Sequence, residues 1–215
     1  MLRSPLLVVS LLSFSLGFPQ PHLAQEVDES PTPSPEVMGE TRCEGEMENG
    51  VLQGIGRCDY DNGDRYEGEF RDGQPHGEGL YVFANGDRYE GAFEAGQPHG
   101  EGVWEFHDGS RYEGPSVNGR FQGLGTYGFA EGDVYEGNFE RGEMTGEGRL
   151  LFQNGDRCEG EFQDGMLHGQ VSCEYDNGER YEGEFRNGMK HGLGVYTLED
   201  GTQVEGRWVE GEFQE

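Results

Sequence analysis

Residues 66–88 read YEGEFRDGQPHGEGLYVFANGDR, and the chain repeats this pattern along most of its length. Aromatic residues or glycines alternate with polar or variable residues over residues 66–70 and again over 77–83. An alternation of period two is typical of a β-strand with one buried face. The pairs Asp72-Gly73 and Asn85-Gly86, which follow the two alternating segments, tolerate the positive φ of tight turns. The stretch therefore predicts one β-hairpin and the turn that leads to the next.

The pattern recurs every 23 residues without an insertion, as seven full repeats and a half repeat. The repeats begin at Cys43, Tyr66, Tyr89, Tyr112, Tyr135, Cys158, Tyr181 and Val204. Glycine occupies positions 3 and 8 of all eight units and, together with positions 12, 14 and 21, accounts for 36 of the 39 glycines. The glycine content is therefore a structural repeat and not low complexity. We predict an all-β fold, an elongated, twisted, single-layer antiparallel sheet of tandem 23-residue β-hairpins.

The second repeat carries the residues of a known motif. These are Arg65-Tyr66-Glu67-Gly68-Glu69-Phe70, Gly73, His76-Gly77, Gly79, Tyr81, Phe83 and Asn85-Gly86-Asp87. With these residues the chain closely resembles the MORN repeat family (membrane occupation and recognition nexus). The resemblance implies hairpins joined into an elongated, curved sheet with a non-catalytic role as a scaffold, partner-binding groove or homodimerisation surface. The family name also implies a lipid-binding role.

The fourth repeat departs from the motif at Pro115-Ser116, where the other repeats have Glu-Phe or similar residues. Proline donates no hydrogen bond to a β-ladder. We therefore predict a kink or bulge midway along the sheet.

The N-terminal residues predict export. A short head that carries Arg3 precedes an almost unbroken apolar run over residues 6–18. This run has the length of a signal-peptide core and is too short to span a bilayer. Cleavage after Gly17 and cleavage after Ala24 both remain open, and the mature protein is expected to be secreted or periplasmic. The predicted domains are a signal peptide over residues 1–24, a disordered Pro/Glu/Ser linker over 25–41 and the repeat domain over 42–215.

The four cysteines stand at positions 1 and 16 of two repeats, as Cys43 with Cys58 and Cys158 with Cys173. The other full repeats have aromatic or apolar residues at both positions, so cysteine replaces both residues or neither. Two strands folded about the turn at positions 8–9 set position 1 opposite position 16. We predict the disulfides Cys43–Cys58 and Cys158–Cys173, because free thiols or a metal site would not account for the paired substitution.

The charge limits the classes of partner. The chain has 43 acidic and 15 basic residues, a formal net charge of −28, which argues against binding to nucleic acid or to an anionic membrane. Glutamate fills position 2 of all eight repeats and arginine precedes six of them. We interpret these two rows as surface ion pairs, with weak binding of a divalent cation such as Ca²⁺ as the alternative.

No chemistry-bearing motif points to an enzyme. The sequence contains no nucleophile elbow, zinc-protease helix motif or phosphate loop, so no catalytic, cofactor-binding or metal-ligating residue is predicted. Four histidines share position 11 and precede a glycine, which predicts a role in supporting turns. They are His76, His99, His168 and His191.

The aromatic face is the one surface on which the sequence points to a function. A single sheet cannot bury both faces, so the rings either pack on glycine and on each other or form a groove for a partner. The candidate binding rings are Phe70, Tyr89, Phe93, Trp104, Phe106, Tyr135, Phe139, Phe162, Tyr181, Phe185 and Trp208. We expect a non-enzymatic scaffold that binds a protein partner or a second copy through this face. An acidic extracellular cation binder and a lipid-surface protein are the alternatives.

Overall fold

A computed structural model describes residues 41–214, which form a single antiparallel β-sheet of 17 strands within that range. The strands are β1 (Arg42–Glu48), β2 (Val51–Asp59), β3 (Arg65–Arg71), β4 (Gln74–Val82), β5 (Arg88–Glu94), β6 (Gln97–Glu105), β7 (Arg111–Val117), β8 (Arg120–Phe121), β9 (Gly123–Gly128), β10 (Val134–Glu140), β11 (Glu143–Leu151), β12 (Arg157–Gln163), β13 (Met166–Glu174), β14 (Arg180–Arg186), β15 (Met189–Thr197), β16 (Gln203–Val209) and β17 (Glu212–Gln214). The predicted fold class is confirmed. The predicted signal peptide, and the predicted linker apart from Thr41, lie outside the described residues.

Each full repeat contributes one hairpin to the sheet. In the second repeat β3 and β4 pair with Tyr66 opposite Tyr81, and β4 then pairs with β5 of the next repeat, with Tyr81 opposite Tyr89. The hairpin turn has Asp72 at φ 52° and Gly73 at φ 77°, the positive pair that matches the twist of antiparallel strands. The 23-residue period thus becomes a row of hairpins in which each strand pairs with the strands next to it in the chain, except that β8 and β9 both pair with β7.

A register shift of the β-bulge type occurs in the hairpin of every full repeat, and in the fourth it lies between the pairs Glu113 with Thr126 and Ser116 with Phe121. In the second repeat it lies between Gly68 and Phe70, where Gly77 on the opposite strand has φ 60°. The fourth repeat differs in one respect, because its second strand is split at Gln122 into β8 and β9, and the amide of Gln122 donates to the carbonyl of Pro115 at 2.9 Å. The bulge is therefore a regular feature of these hairpins, and it is the strand interruption that distinguishes the proline repeat.

The tyrosine at position 1 explains the glycines at positions 3 and 14. Tyr66 is fully buried, and a β-carbon added at Gly79 would collide with the Tyr66 ring. The Tyr66 hydroxyl donates to the carbonyl of Glu69 at 2.9 Å, which satisfies the polar end of a buried ring. The missing side chains let each ring lie flat on the backbone of its own hairpin, so a single layer of sheet acquires a core.

The second turn links each repeat to the next. Asp64 is buried at position 22, and its carboxylate accepts hydrogen bonds from the Tyr81 hydroxyl at 2.7 Å and from the amide of Ala84 at 2.8 Å. The amide of His107 bonds Asp87 in the same way at 2.8 Å. These carboxylates form a turn ladder, defined as the position-22 side chains that accept an amide hydrogen bond from the following repeat. Its members are Asp64, Asp87, Asp133 and Asp156.

Candidate functional site

The structure places the candidate rings together on one face of the sheet, where they form the core. Ten of the eleven are buried and Phe106 is partly buried. Within repeats they meet edge to face, as Tyr89 with Phe93 at 5.1 Å and Tyr135 with Phe139 at 5.2 Å between ring centroids. Burial raises the pKa of the Tyr135 hydroxyl to about 12, because its phenolate would lose hydration. These rings pack against the sheet and against each other, and they leave a partner little aromatic surface.

The seventh repeat contains an aromatic cage around a lysine. Lys190 stands at position 10, where other repeats have apolar residues such as Leu167 and Met144, and it is buried. Its ammonium lies 4.5–5.1 Å from the centroids of four rings, which attract a cation through their π faces. The rings are Tyr175, Tyr181, Tyr196 and Trp208. Burial lowers the pKa of Lys190 to about 8, and Glu179 partly offsets this effect.

Both predicted disulfides are present in the structure, each across one hairpin with 4.1 Å between the two α-carbons. They differ in accessibility. Cys158 and Cys173 are fully buried, whereas Cys43, in the first strand of the sheet, is only partly buried. The register explains the pairing, because Cys43 lies directly opposite Cys58 and Cys158 directly opposite Cys173.

The opposite face of the sheet is polar, and its ion pairs differ from the ones we predicted. Arginines that precede position 2 bond mainly to acids at position 17 of the neighbouring strand, as Arg65 with Asp59 at 2.6 Å and Arg88 with Glu105 at 3.3 Å. The register is the reason, since these positions lie directly opposite each other. The hydrogen bond from Arg65 is the main cause of the lowered pKa of Asp59.

Most position-2 glutamates are therefore left without an ion-pair partner in residues 41–214. The exceptions are Glu113, which pairs with Arg111 at 2.8 Å, and Glu136, which pairs with Arg149. Successive position-2 glutamates stand two strands apart, a distance of about 10 Å at the usual strand spacing. They form a row of carboxylates across the polar face.

A groove of about 620 Å³ lies in the middle of this face. We call it the acidic groove. Its lining residues are Glu101, Glu113, Gly114, Leu124, Gly125, Thr126, Glu136, Gly137, Glu147, Gly148, Arg149 and Glu159. Five carboxylates thus face one guanidinium in a concave surface whose floor contains backbone at glycines.

Leu124 supplies an apolar contact in the acidic groove, and 70% of its surface is exposed. Sequence reasoning missed this residue, although a signal was present. Position 13 holds Ile55, Leu124 and Leu193 in the first, fourth and seventh repeats and Glu or Gln in the others, and the period-two alternation assigns it to the polar face. All three aliphatic side chains are more than 60% exposed.

Other chemistries find little support in the geometry. Among the residues that the structure describes, no three His, Cys, Asp or Glu side chains are grouped so as to hold a metal ion. The position-11 histidines are spread over separate repeats, and His99 lies 3.4 Å from Glu94. No helix within residues 41–214 is long and apolar enough to cross a membrane.

The repeat itself identifies the class of protein. The model of the MORN repeat matches residues 43–65, 66–88, 89–111, 112–134, 135–157, 158–180 and 181–203. The chain belongs to the MORN repeat family, whose repeats are non-catalytic modules. No curated protein sequence matches the chain.

The matches among solved structures have low sequence identity and TM-scores below 0.5. The TCP domain of SAS-4 (dCPAP) from Drosophila melanogaster, solved in complex with a proline-rich motif of Ana2 (dSTIL), has 15% identity and a TM-score of 0.47, with coverage of 80% of this chain and 94% of that one. The G-box domain of the microcephaly protein CPAP has 12% identity and a TM-score of 0.40, with coverage of 72% and 87%. Virginiamycin B lyase from Staphylococcus aureus has 12% identity and a TM-score of 0.18, with coverage of 79% and 60%.

Proposed function

We propose that this MORN-repeat chain is an exported protein-interaction scaffold that binds a cationic segment of a partner protein on its polar face. The observation that carries the proposal is the acidic groove, with its five carboxylates, one guanidinium and the exposed Leu124. The aromatic face, on which the sequence centred the expectation, is occupied by its own packing. Binding through the polar face requires no rearrangement of this core.

Charge selects the class of partner. At a net charge of −28, the chain repels nucleic acid, anionic lipid and the same face of a second copy. A single bound Ca²⁺ is disfavoured, because no three His, Cys, Asp or Glu side chains within residues 41–214 are grouped so as to hold a metal ion. Neighbouring position-2 glutamates are about 10 Å apart, whereas ligands of one Ca²⁺ lie within about 5 Å of each other. A polypeptide in the polyproline II conformation matches this spacing, since every third residue lies on the same side of the helix and recurs at about 9 Å.

The proposed export rests on the predicted signal peptide and is supported by the disulfides. Disulfide bonds persist in secreted and periplasmic proteins and are rare in reducing cytosol. Cys158 and Cys173 are fully buried in the core, so their bond belongs to the folded state and not to an accessible redox site.

The test uses a synthetic peptide that favours the polyproline II conformation, with arginine at every third residue and proline and leucine between, and the same peptide with glutamate in place of arginine. Calorimetry should show binding of the arginine peptide only, with affinity falling as ionic strength rises. Changing Glu113, Glu136 and Glu159 together to glutamine should weaken binding by about tenfold or more. Leu124→Ser should weaken it further without altering the salt dependence.

The matched control changes three exposed glutamates outside the groove, Glu140, Glu143 and Glu199, to glutamine. Both triple variants have the same net charge, so the control measures the general effect of the acidic surface. Equal losses of affinity in the two variants would contradict a binding site in the groove. Binding of the glutamate peptide, or a heat of Ca²⁺ binding that the groove substitutions abolish, would point to another function.

A further inference from the structure

The structure sorts the seven Asn-Gly steps of the chain into two kinds of turn. Four of them lie in the turns that connect repeats, at Asn62, Asn85, Asn154 and Asn177. Three lie in the turns within hairpins, at Asn49, Asn118 and Asn187. Asn-Gly is the dipeptide most prone to spontaneous deamidation, because glycine has no side chain to hinder attack by its own amide nitrogen. The two turns restrain that reaction to different degrees.

The connecting turns hold the reacting groups in place. The Asn62 side-chain oxygen accepts from the amide of Asp64 at 3.0 Å, and its side-chain nitrogen donates to the Asp64 carboxylate at 2.8 Å. The amide of Gly63, which would be the attacking nitrogen, donates to the carbonyl of Tyr60 at 2.9 Å. Asn85, Asn154 and Asn177 have the same three restraints.

In the hairpin turns of the fourth and seventh repeats, a hydrogen bond restrains the glycine amide but not the asparagine side chain. The amide of Gly119 donates to the carbonyl of Pro98, and that of Gly188 donates to the carbonyl of Leu167, both at 2.9 Å. Each acceptor belongs to the preceding repeat. No side-chain hydrogen bond restrains Asn118 or Asn187 within the described residues.

Asn49-Gly50 has neither kind of restraint. It lies in the hairpin turn of the first repeat, so no preceding repeat supplies a carbonyl for the Gly50 amide in residues 41–214. Both residues are exposed, and Asn49 has φ 52°. We propose that Asn49 is the deamidation site of the folded protein.

The reaction needs only water as co-reactant. The Gly50 amide nitrogen loses its proton and bonds to the side-chain carbonyl carbon of Asn49, and the bond from that carbon to the amide nitrogen breaks. The leaving NH₂ group takes up one proton, which balances the proton lost by the Gly50 amide, and departs as ammonia, which leaves a cyclic imide. Water then opens the imide at one of its two carbonyls and yields either aspartate or isoaspartate.

The product alters the first hairpin. An isoaspartate adds one backbone atom between β1 and β2, next to the pairs Glu48 with Val51 and Met47 with Leu52. The Cys43–Cys58 disulfide lies at the far end of the same hairpin and keeps β1 attached. The modification therefore changes the charge and the turn of the first repeat without releasing its strand.

The experiment incubates the folded, oxidised protein in mildly alkaline buffer made with heavy-oxygen water and maps the label by peptide mass spectrometry. Asn49 should take up label about tenfold faster than Asn118 and Asn187, the factor that one hydrogen bond of ordinary strength provides. The four connecting-turn asparagines should be slowest. The reduced chain in denaturant serves as the control, and its seven sites should react at similar rates.

Equal rates at Asn49, Asn118 and Asn187 in the folded protein would overturn the proposal, as would faster reaction at any connecting turn. The variant Gly50→Ala should slow the reaction at Asn49 and leave the other six sites unchanged. If this variant fails to fold, the order of rates in the unmodified sequence still decides.

Discussion

The second and sixth repeats close the same hairpin in two different ways. In the second repeat the Tyr66 ring covers the glycines at positions 3 and 14, and in the sixth the Cys158–Cys173 disulfide replaces both members of the cross-strand pair. A disulfide is much smaller than a tyrosine, and the space above position 14 is filled by Val171, which is buried. Val171 is the one departure from glycine at that position in the full repeats.

This comparison shows that the size of the side chain at position 1 limits the size of the side chain at position 14. Gly79 is required because a tyrosine lies over it, and valine is tolerated at 171 because no tyrosine does. The first repeat gives an intermediate solution, in which Cys43 faces Cys58, Gly56 is kept and the Leu52 side chain approaches it. Because the interior is closely packed, the residue at position 14 cannot be changed without a matching change at position 1.

The largest effect is expected from moving the valine into a tyrosine repeat. Gly79→Val should destabilise the protein by about 3 kcal/mol or more, because its side chain would occupy the place of the buried Tyr66 ring. Urea unfolding followed by tyrosine fluorescence measures the loss. The matched rescue adds Tyr66→Cys and Tyr81→Cys, which converts the second repeat to the pattern of the sixth. A rescue that restores none of the stability would break the comparison.

Removal of the buried disulfide should have the next largest effect. Replacing Cys158 and Cys173 by alanine should cost about 2–3 kcal/mol, the value for a loop of this length, and leave a gap beside Val171. Under mild reductant the partly buried Cys43–Cys58 bond should open first, which thiol alkylation and mass spectrometry detect. Earlier alkylation of Cys158 would contradict the difference in burial.

The turn ladder provides a test with a smaller expected loss of stability, in which Asp64 is the acceptor for groups of the second repeat. Asp64→Ala removes the acceptor for the Tyr81 hydroxyl and for the amide of Ala84, with an expected cost of about 1–3 kcal/mol because buried donors lose their partner. The control is the exposed Asp61, which lies in the same turn as Asp64. Asp61→Ala should change the unfolding free energy by less than about 0.5 kcal/mol. Similar losses at both positions would contradict the ladder.

The fourth test concerns the aromatic cage and the dependence of stability on pH. The pKa of Lys190 is about 8 in the folded protein, below its ordinary value of 10.5. Between these values the unfolded chain binds more protons, so stability should rise with pH from about 8 to about 10. Above that range it should fall, because buried tyrosines such as Tyr135, with a pKa of about 12, resist the ionisation that the unfolded chain allows.

The control for this pH dependence is Lys190→Met, which places at position 10 the residue that the fifth repeat has there, Met144. Thermal unfolding at a series of pH values measures both proteins. The rise between pH 8 and 10 should disappear in the variant while the fall at higher pH remains. A rise of equal size in both proteins would exclude Lys190 as its source.

Strand positions, turns and the family could be predicted from the sequence because they depend on periodicity along the chain. The pairing of Cys43 with Cys58 could be predicted for the same reason, because positions 1 and 16 lie opposite each other in one hairpin. The burial of the rings could not be predicted. The alternation places Phe93 on one face of the sheet, but it does not determine which side chains pack over that ring. The ion pairs also escaped prediction, because the arginine partners depend on the register between strands, which sets Arg65 opposite Asp59.

The acidic groove escaped prediction for a related reason. Leu124 and Glu159 are 35 positions apart in the chain, and only the three-dimensional path of the sheet brings them to the same concavity. Position 13 alone carried a signal, because an aliphatic residue on a polar face is unexpected. The choice between a flat face and a groove requires the structure.

The single layer of hairpins has a mechanical consequence. Within residues 41–214 each hairpin pairs only with its immediate neighbours, and no second layer of these residues holds it in place. Tension applied to the two ends of the sheet should therefore unzip it from an end, one repeat at a time, with an extension of about 70 Å for each 23 residues released. The first and sixth repeats should give shorter steps, because the segments within Cys43–Cys58 and Cys158–Cys173 are covalently closed and cannot extend.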